Sequence, residues 1–130
     1  MPPQTPAARR LVVKVTCGPE DAERSNQGLT VAATAVLAGA EVSLWLTGEA
    51  TWYAVADRDV DLGLAGATPA TELVDVVLAS VGAGSRVVAC TQCAARRGIV
   101  ETDLREGAVI AGAAGFIEEV LGEGVQALVY

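Results

Sequence analysis

Three cysteines, Cys17, Cys90 and Cys93, carry the nucleophilic chemistry of this sequence. Two of them lie in Val87-Val88-Ala89-Cys90-Thr91-Gln92-Cys93-Ala94-Ala95-Arg96-Arg97-Gly98, where a β-branched run gives way to residues that read as a short helix ended by glycine. A cysteine at such a junction meets the free N–H groups of the helix that begins at Thr91 and the positive end of its dipole, and both favour thiolate over thiol. Cys90 is therefore placed to be reactive. With that helix start, Arg97 falls two turns beyond Cys90 and Arg96 one turn beyond Cys93, so both arginines add positive potential without needing to touch sulfur. The competing reading is a buried Cys90 acting as a small hydrophobe.

Other chemistries are excluded or unsupported. The sequence contains no histidine, which removes Ser-His and Cys-His nucleophile pairs and every His-containing metal site. Cys90 and Cys93 have metal-ligand spacing, but with Cys17 they supply only three thiolates, so no metal is expected. Asp57, Asp59, Asp61 and Gly63 imitate the opening of a calcium loop; the glycine is one place late and the twelfth position is Thr68 rather than Glu. Gly82-Ala83-Gly84 resembles part of a dinucleotide fingerprint but precedes a strand instead of following one, and no cofactor is expected. A net charge of −7, with Lys14 the single lysine, argues against direct nucleic-acid binding. The longest apolar stretch, Val31 to Ala40, is interrupted by Thr34 and is short of the roughly 20 residues that a membrane span takes. No signal-peptide core follows the proline-rich start, so a cytoplasmic protein is expected, with reduced thiols rather than a disulfide framework.

The elements that must position the cysteines follow from periodicity. The 130 residues suffice for one domain, expected over residues 10–130 after a disordered tail at residues 1–9. Arg10 to Thr16 reads as a first strand buried on both faces, ended by Cys17-Gly18-Pro19. Glu20 to Asn26 reads as a loop, and Leu29, Ala32, Ala33, Val36 and Ala40 as the apolar face of a helix. Glu41 to Leu46 is a second strand, Glu49 to Ala56 a short helix or irregular segment, and Asp57 to Ala67 a loop. Thr68-Pro69 reads as a helix start, with Thr as cap and Leu73, Val76, Val77 and Val81 on one face. Arg86 to Cys90 is a third strand and Ala108 to Ile110 a fourth. Ala113, Phe116, Ile117, Val120 and Leu121 line a last helix, and Val125 to Tyr130 is a final strand. Alternation of strands and helices predicts an α/β fold, a three-layer α/β/α sandwich with a mostly parallel five-stranded sheet of the flavodoxin or Rossmann kind. Such sheets hold reactive groups at the carboxyl ends of strands, where Cys17 and Cys90 both fall.

A strand ending in cysteine, then a short helix ending in Arg96-Arg97-Gly98, resembles the cysteine segment of TusD and its DsrE/DsrF relatives. Gly18 to Arg24 is similar to that family's first loop, Glu41 to Gly48 to its second strand and turn, and Ile110 to Val120 to its closing helix. The resemblance implies a DsrE-like fold and a persulfide carried on Cys90, whose position matches the sulfur-carrying cysteine of those proteins. It also implies sulfur donor and acceptor proteins as partners, and a homo- or hetero-oligomer, often a trimer or hexamer, with the reactive cysteine near a subunit boundary.

The corresponding chemistry is thiol exchange. Cys90 thiolate attacks the terminal sulfur of a donor persulfide and then yields that sulfur to an acceptor thiol. Thr91 and its neighbours would stabilise the anion through their N–H groups, and Arg96 or Arg97 would steer an acidic partner segment. Two alternatives stay open. Cys93, or Cys17, would convert the site into a thiol-disulfide redox pair by attacking a Cys90 persulfide, and a DsrE-like module that binds or assembles without chemistry would retain only the fold.

Overall fold

A computed structural model describes residues 9–130. The disordered tail expected at residues 1–9 therefore lies, up to residue 8, outside the described residues; the Arg9 carbonyl accepts the backbone N–H of Glu41 at 2.9 Å, immediately before the first strand.

Five strands, β1 (Arg10–Val15), β2 (Glu41–Leu46), β3 (Arg86–Cys90), β4 (Ala108–Ala111) and β5 (Val125–Val129), form one sheet in the order β4-β3-β2-β1-β5. Every pairing is parallel. The fold is the expected α/β one, and all five strands point their carboxyl ends to the same edge.

Helices α1 (Ala22–Leu37) and α2 (Ala70–Leu78) cover one face. Their buried residues Leu29, Ala32, Ala33, Leu73, Val74 and Val77 pack with Val13, Val15, Val42, Leu44, Leu46, Val87 and Ala89 of the sheet. Alternation along the strands sends Val12, Trp45 and Val88 to the opposite face, where α4 (Ala113–Val120) contributes Phe116 and Val120. Trp45 and Phe116 meet edge to face, centroids 5.4 Å apart at 77°, a pairing of about 0.5–1.5 kcal/mol beyond burial. Glu119 fixes the helix to the sheet: its carboxylate accepts the Trp45 indole N–H at 3.0 Å and pairs with Arg86. This second layer is thin, for no residue of α4 is fully buried.

Three local expectations change. The polar stretch read as a loop is the start of α1, because Ser25 is buried and shares a 2.6 Å hydrogen bond with Tyr53 while Glu23 and Arg24 face solvent. Pro69, not Thr68, occupies the cap position of α2, and the buried stripe is Ala70, Leu73, Val74 and Val77; the helix ends at Leu78, before Val81. Ile117 and Leu121 in the last helical segment do not join Phe116 and Val120 in the core, being 49% and 78% exposed. The weakly patterned Gly48–Ala54 segment is a 3₁₀ helix that buries Ala50, Thr51, Tyr53 and Ala54.

Candidate functional site: the Cys90 strand end

Cys90 is the last residue of β3 and the cap residue of α3 (Thr91–Arg96), with extended backbone at φ −63° and ψ 129°. The β3–β4 connection returns along the α1/α2 face, where Leu104 packs on the core, whereas β4 leads into α4 on the opposite face. The carboxyl ends of β3 and β4 thus flank a topological switch point, the place where open α/β sheets leave a crevice. Cys90 is level with Ala111 of β4, and a Cβ on Gly112 would lie 3.5 Å from Thr91 Oγ1, so Thr91 lines the approach to α4.

The Cys90 thiol is half-buried, and its surroundings set its acidity. Desolvation pushes its pKa up. The N–H groups of Cys93 and Gln92, a hydrogen bond from the Cys93 side chain and the charge of Lys14 act in the other direction and win, leaving it below the ordinary value of 9.0. Lys14 is on the thinly covered sheet face with its ammonium 4.7 Å from the Phe116 ring centroid. Burying part of its stem against that ring fixes a cation over the apolar layer.

Cys93 is one turn into α3 and half-buried. Gly48, just past β2, donates its backbone N–H to Cys93 Sγ at 3.2 Å. That approach needs glycine: Gly48 has φ +55° and a Cβ there would lie 2.6 Å from the Thr16 carbonyl oxygen. Arg97 secures the same junction from the other side. Its Nε and Nη2 donate to Glu49 Oε1 at 3.2 and 2.8 Å, and its Nη1 donates to the Cys93 carbonyl at 3.0 Å. Arg97 thus holds α3 against the Gly48–Ala54 helix, and Arg96 is exposed.

Cys17 does not join the pair. It follows β1 at the same sheet edge but is 7% exposed and donates weakly to the Asp21 carbonyl at 3.8 Å. Burial, with the charges of Asp21 and Glu20, pushes its pKa up, the opposite of Cys90. Lys14, Gly48 and Glu49 are the members of the site that sequence reasoning missed. Lys14 gave a signal, as a lone charge inside an apolar strand; Gly48 and Glu49 gave none until β2 and β3 were adjacent. Among the described residues no cluster of three or more His, Cys, Asp or Glu side chains is arranged to hold a metal ion, and no helix is long and apolar enough to cross a membrane.

Comparison with known proteins bears on a site of this kind. A model of the DsrE/DsrF-like family matches residues 9–128. The chain belongs to the DsrE/DsrF-like family. The same architecture recurs in solved structures of low sequence identity. The ychN protein of E. coli superposes with a TM-score of 0.72 at 14% identity, covering 94% of this chain and 100% of its own. MTH1491 of Methanobacterium thermoautotrophicum, a protein of unknown function, gives 0.60 at 16% identity, covering 95% and 100%. A search of curated proteins returned no match. At such identities the two structures establish the DsrE-like fold alone.

Proposed function

We propose that this protein carries sulfur as a persulfide on Cys90 and passes it to a thiol of a partner protein. The observation that carries the reading is the contrast between two cysteines at one sheet edge: Cys90 is half-exposed with its thiolate favoured, and Cys17 is buried with its thiolate disfavoured. Membership of the DsrE/DsrF-like family and the resemblance of the cysteine segment to sulfur-relay proteins support the same chemistry.

In this reading the donor's terminal sulfur is attacked by Cys90 thiolate, the donor thiolate leaves, and the Cys90 persulfide anion faces the free N–H groups at the start of α3. Lys14 supplies countercharge. The acceptor thiolate then takes the outer sulfur and Cys90 thiolate is restored. The protein acts in the cytoplasm as a homo-oligomer, a trimer or hexamer, which would cover Ile117, Leu121, Leu128 and Val129; these are 49%, 78%, 42% and 64% exposed in the single chain.

Incubation with a cysteine desulfurase and cysteine, followed by intact mass measurement, tests the assignment. A gain of one sulfur that survives Cys93→Ser and Cys17→Ser but disappears in Cys90→Ser is the expected result. A gain that persists in Cys90→Ser, or no gain in any form, overturns it, and the second outcome leaves a DsrE-like binding module.

A further inference from the structure

We propose that Cys93 gives the site a second activity, the reductive release of sulfide from a persulfide on Cys90. This rests on the reading of Cys90 as the sulfur-carrying residue. The two cysteines occupy the cap and third positions of α3, one helical turn apart at the end of β3. Residues three apart on a helix have Cβ atoms about 5–6 Å apart, a separation that a small rotamer and backbone adjustment brings to the disulfide range.

The surroundings hold Cys93 next to its neighbour. The Gly48 N–H meets its sulfur at 3.2 Å, and Arg97 clamps its carbonyl and Glu49 together. Both cysteines are partly exposed. Cys17 is not a competitor, since it is buried and engaged with the Asp21 carbonyl.

The chemistry balances with one co-reactant. Cys93, after losing its proton to solvent, attacks the inner sulfur of the Cys90 persulfide. The outer sulfur takes a proton from solvent, its bond to Cys90 Sγ breaks, and it leaves with the electron pair as hydrosulfide while the Cys90–Cys93 disulfide forms. The sulfane sulfur is reduced by the two electrons that the cysteine pair loses. A dithiol reductant, either a small molecule or a protein with a dithiol centre, returns the pair to thiols. An acceptor thiol and Cys93 therefore compete for each loaded persulfide, and the dithiol resets the pair for another round after a discharge.

The test uses the full chain loaded with inorganic polysulfide and freed of excess by rapid desalting. Hydrosulfide is trapped with a bimane reagent while intact mass is followed, in the wild type and in Cys93→Ser, Cys93→Ala and Cys90→Ser. The wild type should discharge its extra sulfur about ten-fold or more faster than either Cys93 variant, in step with loss of two hydrogens and stoichiometric hydrosulfide. Excess dithiothreitol should then restore the thiol form and permit repeated turnover. If the wild type retains its persulfide as long as loaded Cys93→Ser and Cys93→Ala, the release activity is wrong and the carrier reading survives. If none of the forms with an intact Cys90 takes up sulfur, both readings fall. Circular dichroism of each variant separates a chemical effect from misfolding.

Discussion

The backbone N–H of Gly48 points at the sulfur of Cys93, 3.2 Å away, and so joins the end of β2 to the helix that follows β3. Beyond the ladder that pairs β2 with β3, this amide-to-sulfur contact ties together the segments that follow them, and the glycine's φ of +55° is what allows the amide to face that way. The arrangement makes this edge of the sheet depend on a residue with no side chain.

Replacing Gly48 by Ala should accordingly destabilise the fold by about 1–3 kcal/mol, since the left-handed conformation is strained for Ala and its Cβ would press on the Thr16 carbonyl. Urea unfolding followed by circular dichroism measures the loss. A variant as stable as the wild type would mean that the turn relaxes at no cost.

Cys90 and Cys17 should titrate in opposite directions from the ordinary cysteine value of 9.0. Alkylation rates measured peptide by peptide across pH should place the inflection for Cys90 below that value and for Cys17 above it. The sign for stability follows from proton counts. Between the folded and unfolded pKa of Cys90 the folded chain binds fewer protons, so the contribution of Cys90 is lost as pH falls through its folded value and is complete above its unfolded one. Cys17 works the other way: its contribution is present below the unfolded value and fades as pH rises through the folded one.

Lys14→Met should move the Cys90 inflection upward by removing the cation, while the stem still packs beside Phe116. Added salt should move the wild type in the same direction and the variant less. Equal salt responses in both proteins would show that Lys14 does not act through charge.

Truncating Glu119 to Ala should cost about 1–3 kcal/mol, because the Trp45 indole N–H loses its acceptor in a half-buried place and Arg86 loses its ion-pair partner. Glu119→Gln, which keeps an amide oxygen for the indole, should recover part of that loss. Thermal melts of the two variants side by side check the order.

Leu121→Glu should weaken self-association with little effect on the fold of the single chain, since this side chain is 78% exposed there. Sedimentation velocity across a concentration series reads the change. An unchanged distribution would remove Leu121 from any subunit boundary.

Much of this could be read from the chain itself, and the reasons for what could not are local. Glu41–Leu46 and Arg86–Cys90 were legible to the residue because buried parallel strands demand continuous β-branched and leucine runs. The start of α1 was hidden by polar residues whose helical role depends on Ser25 reaching Tyr53, a contact between residues 28 apart. Thr68 imitated a cap, but Pro69 with ψ near 142° takes that place and turns the chain into α2. The place of Cys90, at the end of a strand and the start of a short helix, was legible from the residues around it. Its setting was not, since Lys14 of β1 and Gly48 and Glu49 after β2 reach it from two other segments, and no local pattern encodes their adjacency.

The single helix over Trp45 has a kinetic consequence. With Glu119 as its main polar latch and no fully buried residue of its own, α4 is the segment expected to lift away before the rest of the sheet unfolds. Amide hydrogens of Ala113–Val120 should exchange with deuterium well ahead of those in β1 and β2. The same breathing would uncover Phe116 and free the Lys14 ammonium from its ring, so the reactivity of Cys90 would fluctuate with the opening of an element whose residues never touch its sulfur.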